Sequence, residues 1–292
     1  MKRSDFRFLE RLRVRWAEVD LQKIVFNGHY LMYFDTAVAG YWRALALPYH
    51  ETMASLHGDL FVRKATLEYE GSARYDEQLH VGIRCARIGK SSMAFAAAVF
   101  RGAQCLVHGE LVYVFADPAT MRSQPVPEAL RAVLQGYEAG QAMLNVHRGG
   151  WHELAGPTQA LRQAVFVEEF GLPALAGNAA DADADADADA GALHVLAHNR
   201  LGLAVGAGRL LSPAPGVAQI DRLAVNAALR GAGVGSAVLQ ALLAAARDRG
   251  DREVVLNAPS AALALYERAG FVRSGAEFAD SGVQHVAMRL AT

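Results

Sequence analysis

The chain has 292 residues, of which 52% are hydrophobic and 20% charged, and its formal net charge is −1. This length accommodates two ordinary domains, and the composition is typical of a soluble globular protein. Because Lys and Arg residues do not cluster, no nucleic-acid partner is expected. The N-terminal residues alternate in charge and contain no apolar segment, so we expect neither a signal peptide nor a membrane partner, and we place the protein in the cytoplasm. Cys85 and Cys105 are expected to be reduced core thiols.

A short strand and a long apolar helix are the first predicted elements. Residues 12–16 alternate apolar side chains with arginines, which is the pattern of a half-buried strand. Residues 30–47 are apolar on every side apart from Asp35 and Arg43. A helix that is apolar all round must be buried all round, and two charges in so short a run argue against a membrane span. We therefore predict a helix enclosed by a sheet.

Four strands with a two-residue period follow this helix. Their apolar positions fall within residues 65–69, 79–85, 93–99 and 105–115. The short connections between them carry Gly or Asp, as an antiparallel meander requires. The sequence therefore predicts an α+β domain with an antiparallel sheet around a central helix.

The segment before the helix, RWAEVDLQKIVFNGHY over residues 15–30, is similar to the opening of the 4-hydroxybenzoyl-CoA-thioesterase-like hotdog proteins. Their pattern runs from an aspartate through a glycine and apolar residues to an Asn/His segment that enters the central helix. The resemblance covers roughly residues 8–117 and implies a hotdog domain with acyl-CoA thioesterase activity. Hotdog domains pair through their sheets, so it also implies a homodimer or homotetramer.

The resemblance assigns roles to individual residues. Asp20 would act as the nucleophile or as the general base for water, and Asn27 would orient water or the thioester carbonyl. The N–H groups near His29 and Tyr30 would polarise that carbonyl. Lys23 stands where the family usually has glycine, and Asn27 where many members have histidine. A purely structural interpretation, with Asp20 fixing a turn and Asn27 capping the helix, stays open.

The second half begins after a predicted terminal helix within residues 125–142. We place a first domain at residues 1–142 and a second at 143–292, the latter opening with a strand near residues 146–152 and a helix over 158–170. Residues 181–190 are five Asp-Ala repeats within a loop of about residues 174–192. Their carboxylates repel one another and alanine offers little apolar surface, so we predict a disordered, dispensable loop. An acidic metal-binding loop is the alternative, but no metal site is predicted.

A hairpin is predicted next, over residues 194–198 and 203–211. His194 and His198 would lie about 13 Å apart on one strand, too far for a shared metal ion. A last strand is predicted over residues 283–290.

Residues 220–250 combine a strand, a glycine loop and a helix. Gly231, Gly233 and Gly235 separate an apolar run over residues 220–225 from a run of strong helix formers over 236–249. Such a junction directs backbone N–H groups and the helix dipole at one point, which favours a phosphate group. The spacing matches neither the dinucleotide fingerprint nor a nucleoside-triphosphate loop.

This glycine loop resembles the pyrophosphate loop of the GNAT acyltransferases, whose pattern [RQ]-x-x-G-x-[GA] is met by Arg230, Gly233 and Gly235. An Asn after the next strand, Asn257, and a Y-x-x-x-G-F helix ending that contains Tyr266 are also GNAT features. An ordinary βαβ unit with a glycine turn is the alternative. The resemblance implies an α/β GNAT N-acyltransferase domain.

Its implied reaction is acetyl transfer from acetyl-CoA to an amine. Tyr266 would protonate the departing thiolate, unless it only packs beside Leu263. The candidates for a general base are Asp221, Glu169 and His285. The implied coenzyme-binding residues are Leu223, Ala224 and Val225 along the pantetheine arm, Arg230, Gly231, Gly233, Gly235 and Ser236 at the pyrophosphate, and Asn257.

Both resemblances point to acyl-CoA and acetyl-CoA as co-substrates, with no permanently bound cofactor. The leading hypothesis is a bifunctional enzyme that combines a thioesterase with an N-acetyltransferase. An acetyltransferase with a non-catalytic hotdog scaffold, and a pair of acyl-CoA sensors without turnover, are the alternatives.

Overall fold

The computed structural model describes residues 1–172, 187–280 and 282–292. The chain divides into two units, Met1–Met143 and Leu144–Thr292.

The first unit is a five-stranded antiparallel sheet with helices packed against it. Its strands are β1 (Phe8–Arg13), β2 (Asp59–Tyr69), β3 (Gln78–Ile88), β4 (Ser92–Arg101) and β5 (Gln104–Ala116), in the order β1-β3-β4-β5-β2. Its helices are α1 (His29–Ala44), α2 (Tyr49–Ser55) and α3 (Glu128–Glu138). The predicted antiparallel sheet with one long helix is confirmed.

Helix α1 is buried on one face only. Its buried residues, among them Phe34 and Tyr41, recur every three or four positions, as a helix packed on a sheet requires. Leu31 and Met32 are exposed although both are apolar. The prediction of burial all round is therefore wrong, because a single sheet covers a single face of the helix.

The first strand also differs from its prediction. It ends at Arg13, and Trp16 begins a 3₁₀ turn, Trp16–Glu18, with 74% of its surface exposed. The Trp16 ring makes an edge contact with Tyr75. The alternation of apolar side chains and arginines continues to Trp16 in the sequence, whereas the strand itself ends at Arg13.

The second unit is a seven-stranded sheet. Its strands are β6 (Leu144–Gly149), β7 (Leu193–Asn199), β8 (Ala204–Ala214), β9 (Val217–Val225), β10 (Glu253–Pro259), β11 (Val272–Asp280) and β12 (Val283–Ala291), in the order β11-β12-β10-β9-β8-β7-β6. Every pair is antiparallel except β9 with β10. The helices are α4 (Trp151–Arg162), which continues into a π-helical segment (Gln163–Glu169), α5 (Val234–Arg249) and α6 (Leu263–Arg268).

Several of these elements lie where the sequence places them, but the strand predicted near residues 146–152 ends at Gly149, and the helix predicted from residue 158 already begins at Trp151. The β7–β8 hairpin and strand β12 are confirmed, and α5 ends at Gly250 in the left-handed conformation that a glycine C-cap adopts. Among the described helices, none is both long and apolar enough to cross a lipid bilayer.

The structure corrects the prediction of disorder at the end of the Asp-Ala tract. Residues 187–191 are helical, and Asp189 is 5% exposed. The cause is tertiary, because the Asp189 carboxylate contacts the guanidinium groups of Arg162 and Arg209. Residues 181–186 of the tract lie outside the described part of the chain.

Candidate functional sites in the two units

The chain between β1 and α1 forms a closed loop. The Asp20 N–H donates to the carbonyl of Ile24 at 2.9 Å, and the Phe26 N–H donates to the carbonyl of Glu18 at 2.9 Å. Residues 20–24 therefore form the tip of the loop, and the chain enters α1 at His29, three residues after Phe26. This closure places Glu18, at the base of the loop, beside Phe26 just ahead of the helix, while Asp20 lies at the tip.

The tip is a tight turn made by Asp20. Its Oδ1 accepts the Gln22 N–H at 2.8 Å, and its carbonyl accepts the Lys23 N–H at 2.9 Å. Lys23 adopts φ of 62°, the left-handed region that favours glycine. This geometry explains why a glycine suits the position, and Lys23 holds the same turn at a conformational cost.

The start of α1 differs from the expectation. The His29 N–H donates to the Phe26 carbonyl at 2.9 Å, and the Tyr30 N–H donates to the Asn27 carbonyl at 3.4 Å. These two N–H groups, expected to polarise a thioester carbonyl, are already engaged within the turn. The Asn27 carbonyl also accepts the Tyr69 hydroxyl at 3.2 Å, while Asn27 itself is exposed.

Glu18 supports this loop and was missed by the sequence analysis. It is 3% exposed, and its Oε2 accepts the Tyr33 hydroxyl and the Arg15 N–H, each at 2.7 Å. Burial by itself raises the pKa of Glu18, but the hydrogen bonds from Arg15 and Tyr33 outweigh it and lower the pKa below its usual range. The ionised carboxylate thus ties the base of the loop to α1. A glutamate in a charged segment gives no sequence signal of burial.

The candidate site of the second unit lies where β9 and β10 separate. These parallel strands pair only through Glu253–Val255 and Val217–Gln219. Beyond these positions the strands diverge, and the glycine loop follows β9 while α6 follows β10. A crevice at the carboxyl ends of parallel strands is a favoured position for a ligand.

Backbone geometry defines the glycine loop. Gly231 and Gly233 adopt φ of 79° and 91°, and Gly233 is the N-cap of α5. The N–H groups of Arg230 and Ala232 donate to the carbonyls of Ala227 and Leu229. The backbone N–H groups suited to a phosphate group are therefore those of Gly231, of the N-cap Gly233 and of the first helical residues, Val234 to Ser236, which precede any intrahelical acceptor.

The side chain of Arg230 turns away from the loop. Its Nη2 donates to Glu169 at 2.6 Å, and its guanidinium lies 5.1 Å from the Phe170 ring centroid. The same Nη2 also lies 3.5 Å from the Val225 carbonyl, so the Arg230 side chain links Glu169 to the end of β9.

Strand β9 carries a bulge beside the expected pantetheine residues. Ala207 pairs with Ala224 and Arg209 pairs with Asp221, so one residue of β8 opposes two of β9. Arg222, within this bulge, adopts φ of 50°. Leu223 is the second bulged residue and Ala224 and Val225 follow it, so the bulge lies at the start of the expected pantetheine segment.

Asn257 and Tyr266 lie on the other side of the crevice. Asn257 is exposed on β10 and pairs with Ala287 of β12. Tyr266 is 6% exposed on α6 and packs edge-on against Phe271. Burial raises the pKa of Tyr266 to about 12, so its hydroxyl stays protonated at neutral pH.

The three candidate bases differ in their surroundings. Asp221 receives two hydrogen bonds from Arg209, both at 2.8 Å. The hydrogen bond from Arg230 lowers the pKa of Glu169. His285 Nδ1 lies 2.9 Å from the Val283 carbonyl, which can only accept, so Nδ1 carries a proton and neutral His285 presents its lone pair on Nε2. His285 is thus best suited to accept a proton.

One group with metal-ligand spacing occurs among the described residues. The ligand atoms of Glu68, Glu70 and His108 lie within 4.8 Å of one another on β2, its C-terminal extension and β5. Both glutamates are exposed, and His108 Nε2 is 3.4 Å from Glu70. His194 and His198 make separate contacts, with the Asp189 carbonyl and the His147 ring.

Two family models match separate parts of the chain. A thioesterase superfamily model matches residues 22–107, and an acetyltransferase (GNAT) domain model matches residues 162–292.

Curated relatives match the same two parts. An uncharacterized N-acetyltransferase, YjcF of Bacillus subtilis, is 39% identical over 85 residues, which are 29% of this chain and 60% of that protein. The acyl-CoA thioester hydrolase YbgC of Escherichia coli O6:H1 is 24% identical over 126 residues, which are 41% of this chain and 90% of that protein.

A solved structure adds a distant likeness. A putative N-acetyltransferase from Lactobacillus plantarum is 25% identical with a TM-score of 0.44, covering 51% of this chain and 99% of its own. The two family models identify a thioesterase (hotdog) superfamily domain at residues 22–107 and a GNAT acetyltransferase domain at residues 162–292.

Proposed function

We propose that the chain is a bifunctional acyl-CoA enzyme, in which the first unit hydrolyses acyl-CoA thioesters and the second transfers an acetyl group from acetyl-CoA to an amine. One observation carries this proposal: two families that use CoA thioesters occur in one chain, each on its own sheet. Acyl-CoA and acetyl-CoA are then co-substrates, and no permanent cofactor is required.

In the first unit Asp20 is the proposed catalytic residue. As a nucleophile its carboxylate attacks the thioester carbonyl carbon and the C–S bond breaks, and water then hydrolyses the acyl-enzyme. As a general base it takes a proton from water, which attacks the same carbon. Asn27, exposed at the start of α1, orients water or the carbonyl oxygen.

In the second unit the backbone holds the coenzyme. The N–H groups of Gly231 and of the first turn of α5, including Gly235 and Ser236, bind the pyrophosphate, as the left-handed glycines and the helix start favour. Leu223 to Val225 pair with the pantetheine arm, and Asn257 contacts the coenzyme. Positioning supplies much of the catalysis in such a site.

The transfer step uses two side chains of the second unit. The amine nitrogen attacks the acetyl carbonyl carbon and the C–S bond breaks. The departing thiolate takes the Tyr266 hydroxyl proton, and His285 Nε2 takes the proton from the amine. Tyr266 carries its proton at neutral pH, as a donor must, and the hydrogen bond at His285 Nδ1 leaves the lone pair on Nε2, which supports that ring as the acceptor.

An acetyltransferase with a non-catalytic hotdog scaffold is the second candidate. One observation favours it: the Asp20 carboxylate already fixes the turn through Gln22, which is a structural role. In both cases we propose a cytoplasmic protein that forms a homo-oligomer. The 11-residue strand β2 supports the oligomer, because it lies at the edge of the sheet with a largely exposed centre, where a strand of a second copy can pair with it.

Assays of the full chain test the proposal. Free thiol release from a panel of acyl-CoA thioesters measures hydrolysis, and mass spectrometry of amines incubated with acetyl-CoA measures transfer. Both activities are expected. Transfer without hydrolysis of any thioester would leave the scaffold candidate, and binding without either reaction would leave a sensor.

A further inference from the structure

A buried charge cluster lies in the second unit, away from the glycine loop in sequence. It joins Arg162 at the end of α4, Asp189 at the end of the Asp-Ala tract, Arg209 on β8 and Asp221 on β9. Arg162, Asp189 and Arg209 are 8%, 5% and 3% exposed. Charged side chains are seldom buried to this extent unless they are paired.

Asp189 is the centre of the cluster. Its Oδ2 accepts Arg162 Nη1 at 2.8 Å, and its Oδ1 accepts Arg209 Nη1 at 2.9 Å. Its carbonyl lies 2.9 Å from Nε2 of the fully buried His194, which therefore donates to it. Side chain and backbone of Asp189 are thus both fixed.

Arg209 connects Asp189 to β9. Its Nε donates to Asp221 Oδ1 and its Nη2 to Asp221 Oδ2, each at 2.8 Å, which is a bidentate ion pair. One guanidinium therefore bridges two carboxylates. Asp221 is the last paired residue before the bulge, and Arg222 follows it in the left-handed region.

We propose that Asp189 is a positioning residue of the acetyl-CoA site, acting through Arg209 and Asp221 on the β9 bulge and hence on the backbone of Leu223 to Val225. The inference rests on the proposed acetyltransferase function of this unit. A strained backbone residue persists only when its surroundings hold it, and the Asp189–Arg209–Asp221 chain supplies that constraint. Asp189, near the end of the Asp-Ala repeat, thereby helps to hold the backbone of the acetyl-CoA site in place.

The repeat itself provides a matched control. Asp187 stands two residues earlier in the same Asp-Ala pattern and is exposed. Asp189→Asn removes a negative charge that two guanidinium groups contact, whereas Asp187→Asn removes one that water solvates. Sequence composition changes equally in both variants.

A double variant separates positioning from stability. Asp189→Asn alone leaves excess positive charge in a buried cluster and lowers Tm. Asp189→Asn combined with Arg162→Met removes one charge of each sign, so Tm recovers toward that of the wild type. The contact from Asp189 to Arg209 remains changed in both variants.

The experiment measures acetyl-CoA binding by calorimetry on the full chain, below the Tm of every variant, together with amide hydrogen exchange at Arg222 to Val225. We expect the acetyl-CoA Kd to rise about tenfold in the single and the double variant, since small displacements of a binding backbone cost this much or more. Exchange at the bulge is expected to accelerate in both. Asp187→Asn should match the wild type in both measurements.

Two results overturn the inference. The first is a Kd that returns to the wild-type value in the double variant as Tm recovers, because Asp189 then only stabilises the fold. The second is unchanged exchange at the bulge. A wild-type chain that does not bind acetyl-CoA overturns the proposed function, and the inference falls with it, whereas wild-type binding with unaffected variants overturns the inference alone.

Discussion

The two candidate sites differ in which part of the chain would do the chemistry. In the first unit a single carboxylate, Asp20, lies at the tip of a loop whose base is tied down by the buried Glu18. In the second unit the proposed ligand-binding groups are backbone N–H groups between two diverging strands. The first site should therefore be sensitive to side-chain chemistry, and the second to backbone space and position. Substitutions that change side-chain chemistry in the first site and backbone space in the second test this difference.

The largest effect is expected for Asp20→Asn. The change keeps the size of the side chain and an oxygen for the Gln22 hydrogen bond but removes the charge, so hydrolysis should fall by about 10³-fold or more. Acetyl transfer should not change. Thiol release from acyl-CoA measures the first activity, and Asp76→Asn, at an exposed turn aspartate, is the control. Wild-type hydrolysis by Asp20→Asn would place the chemistry on another residue.

Tyr266→Phe should lower kcat for acetyl transfer by about 10²-fold, because a proton donor acts in the transition state. The acetyl-CoA Kd should stay within twofold. With the pKa of Tyr266 raised to about 12, the wild-type kcat should show no ionisation of this group across the neutral range. Steady-state kinetics over pH, with calorimetry for the Kd, measure both quantities. An unaltered kcat would leave Tyr266 as a packing residue against Phe271.

Gly235→Val should raise the acetyl-CoA Kd by roughly 30-fold, or about 2 kcal/mol, the loss of one or two hydrogen bonds to a charged group. A Cβ at Gly235 would meet Val225 and Leu265 at 3.4 Å and 3.5 Å, which is ordinary contact, and the two γ-methyls of valine would then crowd the first turn of α5. Gly156→Val, at an open position of α4, introduces the same side chain into a helix without touching the crevice. Equal affinity in the two variants would contradict a backbone-built site.

Glu18→Gln should lower the free energy of unfolding by about 2 kcal/mol at neutral pH, since two of its hydrogen bonds come from a charged arginine and a buried tyrosine. The pKa of Glu18 is lowered in the folded state, so its stabilisation is present above the unfolded value near 4.5 and is lost as the pH falls through the folded value. Denaturant unfolding at neutral and acidic pH measures this. Glu128→Gln, at an exposed residue, should be nearly neutral.

The smallest effect is expected for Lys23→Gly. The variant avoids the steric strain that a side chain causes in the left-handed conformation of residue 23, but its unfolded chain has more conformational entropy. The first effect is the larger, so the free energy of unfolding should rise by about 0.5–1 kcal/mol. Lys90→Gly, at a turn position without positive φ, should instead destabilise the chain. Thermal or denaturant unfolding of both variants decides between them, and a loss of stability in Lys23→Gly would show that its side chain matters more than its backbone.

The sequence predicts those elements whose side chains face a core at a regular period. Strand β5, in which burial alternates over residues 111–115, follows this rule, and both domain families are recognisable from short motifs around Asp20 and Arg230. Strand β11 was missed because all nine of its residues are exposed, so no apolar alternation marks it. Its existence depends on pairing with β12, which is a tertiary contact.

The candidate sites show the same limit. Asp20 and the glycines carry local signals, but the burial of Glu18 depends on Tyr33, fifteen residues away. Asp189 is an extreme case, because neither residue type nor neighbours distinguish it from Asp187. Asp189 differs from the exposed Asp187 only through its tertiary contacts with Arg162 and Arg209.

That difference has a consequence for inheritance. A tract of identical dipeptides can lengthen or shorten by whole units when its gene is copied, and the chain from Gly191 onward is unaffected. Whatever the number of units, the position two residues before Gly191 is then still an aspartate. A carboxylate therefore remains at the position that Arg162 and Arg209 contact. Loss of a single alanine next to Gly191, in contrast, moves an alanine into the buried position. The repeat thus tolerates the gain or loss of whole Asp-Ala units, but not of a single residue next to Gly191.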